Sequence, residues 1–123
     1  MMFGIIVKES FSAAHFLRGY KGKCESIHGH NYVVEVHIEG EKLDSIGILW
    51  DLVEAKKILR GILEGLDHSF LNEGSPLASL NPTVENIARY IFLEFKKAIP
   101  PGLIIKRVVV WETDKSAGYY EER

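Results

Sequence analysis

One cysteine, Cys24, stands in 123 residues, so the chain has no internal disulfide framework and suits a reducing, cytoplasmic compartment. No apolar run approaches the about 20 residues that a membrane helix needs. The stretch from Phe3 to Val7 is too short for the apolar part of a signal peptide, and no small-residue cleavage site follows it. Basic residues gather in nothing larger than short clusters such as Lys21/Lys23 and Lys56/Lys57, and the formal net charge is −2, which argues against a nucleic-acid partner. Repeats, low-complexity segments and Pro/Gly/Ser linkers are also missing, so residues 1–123 read as a single domain. At 46% hydrophobic and 26% charged, the composition is that of an ordinary globular chain. A chain of this size buries about two-thirds of its unfolded surface, enough for a core.

What is present is patterned. Residues 3–16 are β-branched and aromatic with a period near two, which predicts a strand. Residues 17–30 carry Gly19, Gly22 and Gly29 among mixed charges and read as a loop. Over residues 31–39, Val34, Val36 and Ile38 point one way while Glu35, His37 and Glu39 point the other, a half-buried strand. Asp51 is a natural N-cap, with Glu54 placed as in a capping box; Leu52, Ala55, Leu59, Ile62, Leu63 and Leu66 then share a helical face. Thr83, after Pro82, caps a second helix whose stripe is Val84, Ile87, Ala88, Ile91, Phe92 and Phe95. Pro100-Pro101-Gly102 ends it. Residues 103–112 and 118–121 complete the order ββααββ, which predicts an α+β fold: a four-stranded antiparallel sheet with two helices on one face. In the third strand Leu103, Ile105, Val109 and Trp111 make one face, and Ile104, Val108 and Val110 the other. Two helices cover only one face, so the other predicts a homo-oligomer.

Chemistry concentrates at His28-Gly29-His30. Residues i and i+2 of a strand project to the same side, so both imidazoles can reach one ion, and Gly29 leaves room for the approach. His15 supplies a third nitrogen if the first two strands are hairpin neighbours. Three nitrogens with an open fourth position make a catalytic zinc site; Cys24 as a fourth ligand would close it into a structural one. A lone cysteine can equally be an inert buried residue. Asp67 can polarise His68 if their loop folds back, or both can be exposed loop residues. Glu112, after apolar Val108 and Val110, either accepts a ligand's N–H groups in a two-pronged bond or is an ordinary strand-end acid. His37 lies on the polar side of its strand and is assigned no role.

In order, five blocks resemble the 6-pyruvoyl-tetrahydropterin synthase family, which includes the 6-carboxytetrahydropterin synthases. They are Phe11-Ser12-Ala13-Ala14-His15, the stretch from Cys24 through His28-Gly29-His30 to Tyr32, Leu66-Asp67-His68 with Leu71-Asn72, Pro82-Thr83-Val84-Glu85-Asn86, and Trp111-Glu112-Thr113. The resemblance implies zinc held by His15, His28 and His30, with Cys24 as the catalytic cysteine. It implies that Asp67 and His68 work with that cysteine from a neighbouring subunit, that Glu112 anchors the pterin ring, and that Thr83 lines its pocket. The implied architecture is the tunnelling fold, commonly hexameric, with active sites between subunits. The implied substrate is 7,8-dihydroneopterin triphosphate, on whose side-chain hydroxyls zinc acts as a Lewis acid. Arg18, Lys21 and Lys23 then become candidate phosphate contacts. The three-residue gap between Cys24 and His28 matches the 6-carboxytetrahydropterin branch, which feeds deazapurine tRNA-nucleoside (queuosine/archaeosine) synthesis. Glu25, however, occupies the position where another branch uses glutamate in place of cysteine and cleaves the side chain to 6-hydroxymethyl-dihydropterin.

Overall fold

Alternating apolar residues build one long hairpin. Strands β1 (Phe3–His15) and β2 (His28–Gly40) pair antiparallel from Phe3 opposite Gly40 to His15 opposite His28. The computed structural model describes residues 1–19 and 26–123; Lys21, Lys23, Cys24 and Glu25 lie outside the described residues. β2 starts earlier than its alternation predicts, so His28 and His30 sit in the ladder and not in a loop. Its Tyr32, Val34, Val36 and Ile38 are fully buried, and Val7 and Phe11 of β1 join them in the core.

Two capped helices cover that face. In α1 (Leu52–Glu64) the Asp51 carboxylate accepts from Val53 N at 2.9 Å, and in α2 (Val84–Lys96) the Thr83 hydroxyl accepts from Asn86 N at 3.1 Å. A cap of this kind contributes about 1 kcal/mol. Ala55, Leu59 and Leu63 of α1, then Leu66, pack with Ile87, Ala88, Ile91, Phe92 and Phe95 of α2 in one apolar core with the sheet. Leu52, at the first turn of α1, lies outside it and is 52% exposed.

The sheet has five strands, in the order β3-β1-β2-β4-β5, with β3 (Ser69–Phe70), β4 (Leu103–Thr113) and β5 (Ser116–Tyr120). The extra strand corrects the expectation of four. β3 is only two residues long and pairs parallel to β1, Ala13 opposite Ser69 and Ala14 opposite Phe70. So short a segment carries no periodicity; it is held at the edge by Asp67 and His68, described below. β5 begins before Gly118 because the turn after Thr113 is tight, Thr113 facing Ser116 directly. At Gly118 a Cβ would stand 2.6 Å from Val84 Cγ2, so glycine lets the first turn of α2 rest on β5.

A bulge in β4 changes which residues face the core. His37 of β2 is opposite Arg107 and Ile38 is opposite Ile105, leaving Lys106 as the extra residue. Parity flips there, so Ile105 joins Val108 and Val110 inside, contrary to the expected grouping with Val109 and Trp111. The second face still holds apolar surface: Ile104 is 54% and Ile6 55% exposed, and Val109 and Trp111 are half-buried. No helix in the described residues is long and apolar enough to cross a membrane.

Candidate metal centre

The hairpin register places His15 and His28 opposite one another, with His30 one step of the same face along β2. Among the described residues, His15, His28, His30 and Glu112 form a group whose potential ligand atoms all lie within 4.8 Å. His15 Nε2 and His28 Nε2 are 3.0 Å apart. Two nitrogens each about 2.1 Å from a tetrahedral ion stand about 3.4 Å apart, so the spacing suits a shared cation. Glu112 Oε1, from the end of β4, lies 2.7 Å from His30 Nε2, 3.9 Å from His15 Nε2 and 4.0 Å from His28 Nε2.

Second contacts fix the rings. His15 Nδ1 donates to the Pro82 carbonyl at 2.8 Å and His28 Nδ1 to the Ser26 carbonyl at 2.7 Å, so in each ring Nε2 carries the lone pair that points into the group. His30 Nε2 is buried without a hydrogen-bond partner, since the short approach of Glu112 lacks hydrogen-bond geometry. A buried nitrogen left in this way is costly unless something else satisfies it. Two lone pairs and an orphaned nitrogen converging beside a carboxylate fit a divalent cation.

Tyr32, the last residue of the second resembling block, forms the floor of the group. Its hydroxyl is 3.1 Å from His15 Nδ1 and 3.2 Å from Nε2, with the two rings at 85°. Near-equal distances put the hydroxyl over the face of the imidazole, because an in-plane position would overlap the carbon between the nitrogens. Burial holds the phenol well above the ordinary tyrosine range, so it stays a neutral O–H. The signal was available: Tyr32 continues the parity of His28 and His30.

The other candidates fall elsewhere. Asp67 Oδ1 accepts from Ser12 N at 2.8 Å and Asp67 Oδ2 lies 3.1 Å from His68 Nδ1, while His68 N donates to Ser12 O at 2.6 Å. The loop therefore does fold back, and the backbone bond from Ser12 is the main reason the Asp67 carboxyl is held below its usual range. His68 has φ of 55°, strain worth about 1 kcal/mol or more, and its side chain is 81% exposed. It borders an open hollow of about 360 Å³ that Ser12, Asn31 and also His30 of the metal group line. Neither Asp67 nor His68 belongs to the four-residue group. Arg18 is not a free cation: its guanidinium donates to the carbonyls of Leu80 (2.6 Å), Ala78 (3.3 Å) and Asn72 (3.4 Å). Thr83 caps α2 and directly follows Pro82, whose carbonyl holds His15. His37 pairs with Glu35 at 2.9 Å on the uncovered face, away from the group.

The His15 and His30 imidazoles are held below the usual histidine value of 6.5, burial being the first cause for both. A folded-state pKa below the unfolded one means the unfolded chain takes up protons first. The stability these rings contribute is full above pH 6.5 and is lost as the pH falls through their folded values. The melting temperature of metal-free protein is therefore expected to drop as the pH is lowered from about 6.5 towards 5. A flat melting profile across that window would contradict the burial seen at His15.

Two helices on one face of a sheet, with a histidine–carboxylate group able to hold a metal ion at the sheet's end, define a tunnelling-fold protein with a candidate metal centre. Comparison with known proteins narrows the class. The sequence profile described as 6-pyruvoyl tetrahydropterin synthase matches residues 4–123, and the chain belongs to that family. It is 38% identical over 122 residues to a 6-carboxy-5,6,7,8-tetrahydropterin synthase from Synechocystis sp., covering 94% of this chain and 92% of the relative. It is 37% identical over 108 residues to a dihydroneopterin monophosphate aldolase from Pyrococcus furiosus, covering 88% of each. The solved 6-pyruvoyl tetrahydropterin synthase of Caenorhabditis elegans superposes with a TM-score of 0.88 at 30% identity, covering 100% of this chain and 97% of that one.

Proposed function

We propose that this chain is a zinc-dependent lyase, a single cytoplasmic domain that converts 7,8-dihydroneopterin triphosphate to 6-carboxy-5,6,7,8-tetrahydropterin. The convergence of three imidazole nitrogens beside Glu112, in a chain of this family, carries the reading. Zinc, when bound, supplies Lewis-acid polarisation of the substrate's side-chain oxygens. The residues do the rest. His15, His28 and His30 present their Nε2 lone pairs, while the Pro82 and Ser26 carbonyls keep the Nδ1 protons of His15 and His28 turned away. Glu112 offers a carboxylate to the pterin's amino and ring N–H groups, and the segment at Thr83 flanks them. Cys24 as thiolate takes a side-chain proton, with His68, oriented by Asp67, as its acid–base partner.

An oligomer, a hexamer by the family's habit, follows from the uncovered sheet face and from two free edges, β5 and the part of β1 before Ala13. The exposure of His68, outside the four-residue group, favours active sites shared between copies.

A second reading, side-chain cleavage to 6-hydroxymethyl-dihydropterin, is favoured by Glu25 and by the likeness to the Pyrococcus aldolase. Incubating zinc-loaded protein with dihydroneopterin triphosphate and weighing the products separates the readings. Acetaldehyde with the carboxy product supports the first, glycolaldehyde with the hydroxymethyl product the second, and no turnover points to a pterin-binding protein without lyase activity. Cys24→Ala is expected to lose the carboxy product and Glu25→Ala to spare it; an unchanged yield from Cys24→Ala removes Cys24 from the mechanism.

A further inference from the structure

The hydrogen-bond ladder on the outer edge of β1 does not stop where its strand partner does. Beyond β3, Leu71 N donates to Ala14 O at 2.9 Å, and then two asparagine side chains take over. Asn72 accepts from Phe16 N at 2.9 Å and donates to Phe16 O at 3.1 Å. Asn81 accepts from Arg18 N at 2.7 Å and donates to Arg18 O at 3.1 Å. A carboxamide carries an acceptor and a donor in one plane, as a facing peptide does, so each asparagine stands in for a strand residue. Residues 14, 16 and 18 are thus paired in turn along one edge.

Asn81 is tied in addition to the start of α2, whereas the Asn72 carbonyl, among the described residues, accepts only from the Arg18 guanidinium, at 3.4 Å. The Asn81 carbonyl accepts from Thr83 N and from Asn86 Nδ2, both at 2.8 Å, so the residue is pinned at both ends. Pro82 sits between these anchors with its φ fixed by the ring, and its carbonyl receives the His15 Nδ1 proton at 2.8 Å. We propose that Asn81 is a positioning residue of the metal centre: by clasping Arg18 it holds the Pro82 carbonyl against His15 and fixes the tautomer and plane of the most buried imidazole. The proposal rests on the reading that the three histidines hold a metal, and its test separates the two.

In metal-free protein with nitrogen-15 histidine, His15 is expected to show a single Nδ1–H form, which Asn81→Ala converts to a mixture of tautomers. Cobalt(II) affinity, followed by the visible spectrum, is expected to fall about tenfold, the usual scale for losing an outer support of a ligand. Asn72→Ala removes an equal pair of bonds from Phe16, and is expected to lower the melting temperature while leaving the His15 tautomer intact. If Asn81→Ala does not fold, Asn81→Asp, which keeps the acceptor and loses the donor, is read in the same way. An unchanged tautomer and affinity in the Asn81 variant, or equal effects at both asparagines, would overturn the proposal. Wild-type protein that takes up no cobalt would sink the metal reading alone, since the tautomer is measured without metal.

Discussion

Replacing His30 with alanine is expected to abolish metal loading, and turnover with it, while the chain still folds. The His30 side chain is 20% exposed at the end of the sheet, so truncation opens a hollow towards the site more than a void in the core. His15 is a poorer choice: at 1% exposed, bonded to Pro82 and covered by the Tyr32 hydroxyl, its loss would damage packing as well. Supports around a metal ligand typically matter 10- to 100-fold, so removing a ligand itself should weaken metal binding by more than about a hundredfold. Lewis-acid assistance of several kcal/mol goes with it; about 4 kcal/mol corresponds to about a thousandfold in rate. Glu112→Gln makes the contrast. It keeps the shape and removes the charge, so metal per chain should hold while the KM for the pterin rises. Were metal lost there too, Glu112 would be a fourth ligand and the site a closed one. Elemental analysis of metal per chain, beside product mass, reads both variants; full loading of His30→Ala would end the three-imidazole account.

Much of this site was legible because its logic is short-range in sequence. His28 and His30 share a face by strand parity alone, and His15 meets them because a hairpin aligns its two ends. The helices were legible for a similar reason: Asp51 and Thr83 announce their starts, and the stripes recur at helical spacing. What was hidden depends on contacts between distant segments. The bulge at Lys106 leaves only a polar pair, Lys106-Arg107, in an otherwise apolar run, and parity cannot be counted through it. β3 exists because Ser12 grips Asp67 and His68 from 55 residues away, not because Ser69 and Phe70 favour a strand. Asn72 and Asn81 look like loop polar residues until the backbone they complete is seen; the 4% exposure of Asn72 is the mark of its role. Arg18 reads as a candidate phosphate contact from its charge, while its bonds to the carbonyls of the facing loop depend on the fold and are invisible in the sequence.

Mixing two inactive variants, His68→Ala and Cys24→Ala, is expected to restore activity. Ser12 uses its N–H on Asp67 and its carbonyl on His68, so turning the pair towards the chain's own metal group would break both bonds, about 1 kcal/mol each or more. The imidazole instead stands 81% exposed, beside an open hollow that Ser12, Asn31 and His30 line. Under the proposed function, a pair so placed serves a site that another copy completes. In oligomers assembled at random from equal amounts of the two variants, about a quarter of the sites would draw both working residues from intact donors. Recovery near that fraction after co-expression, against near-zero activity of each variant alone, is the expected reading. If each site were built within one chain, every site in the mixture would lack one group and no activity would return. A His68→Ala variant that is fully active by itself would instead remove the Asp67–His68 pair from the chemistry, and leave its positive φ and its exposed ring without a catalytic reason.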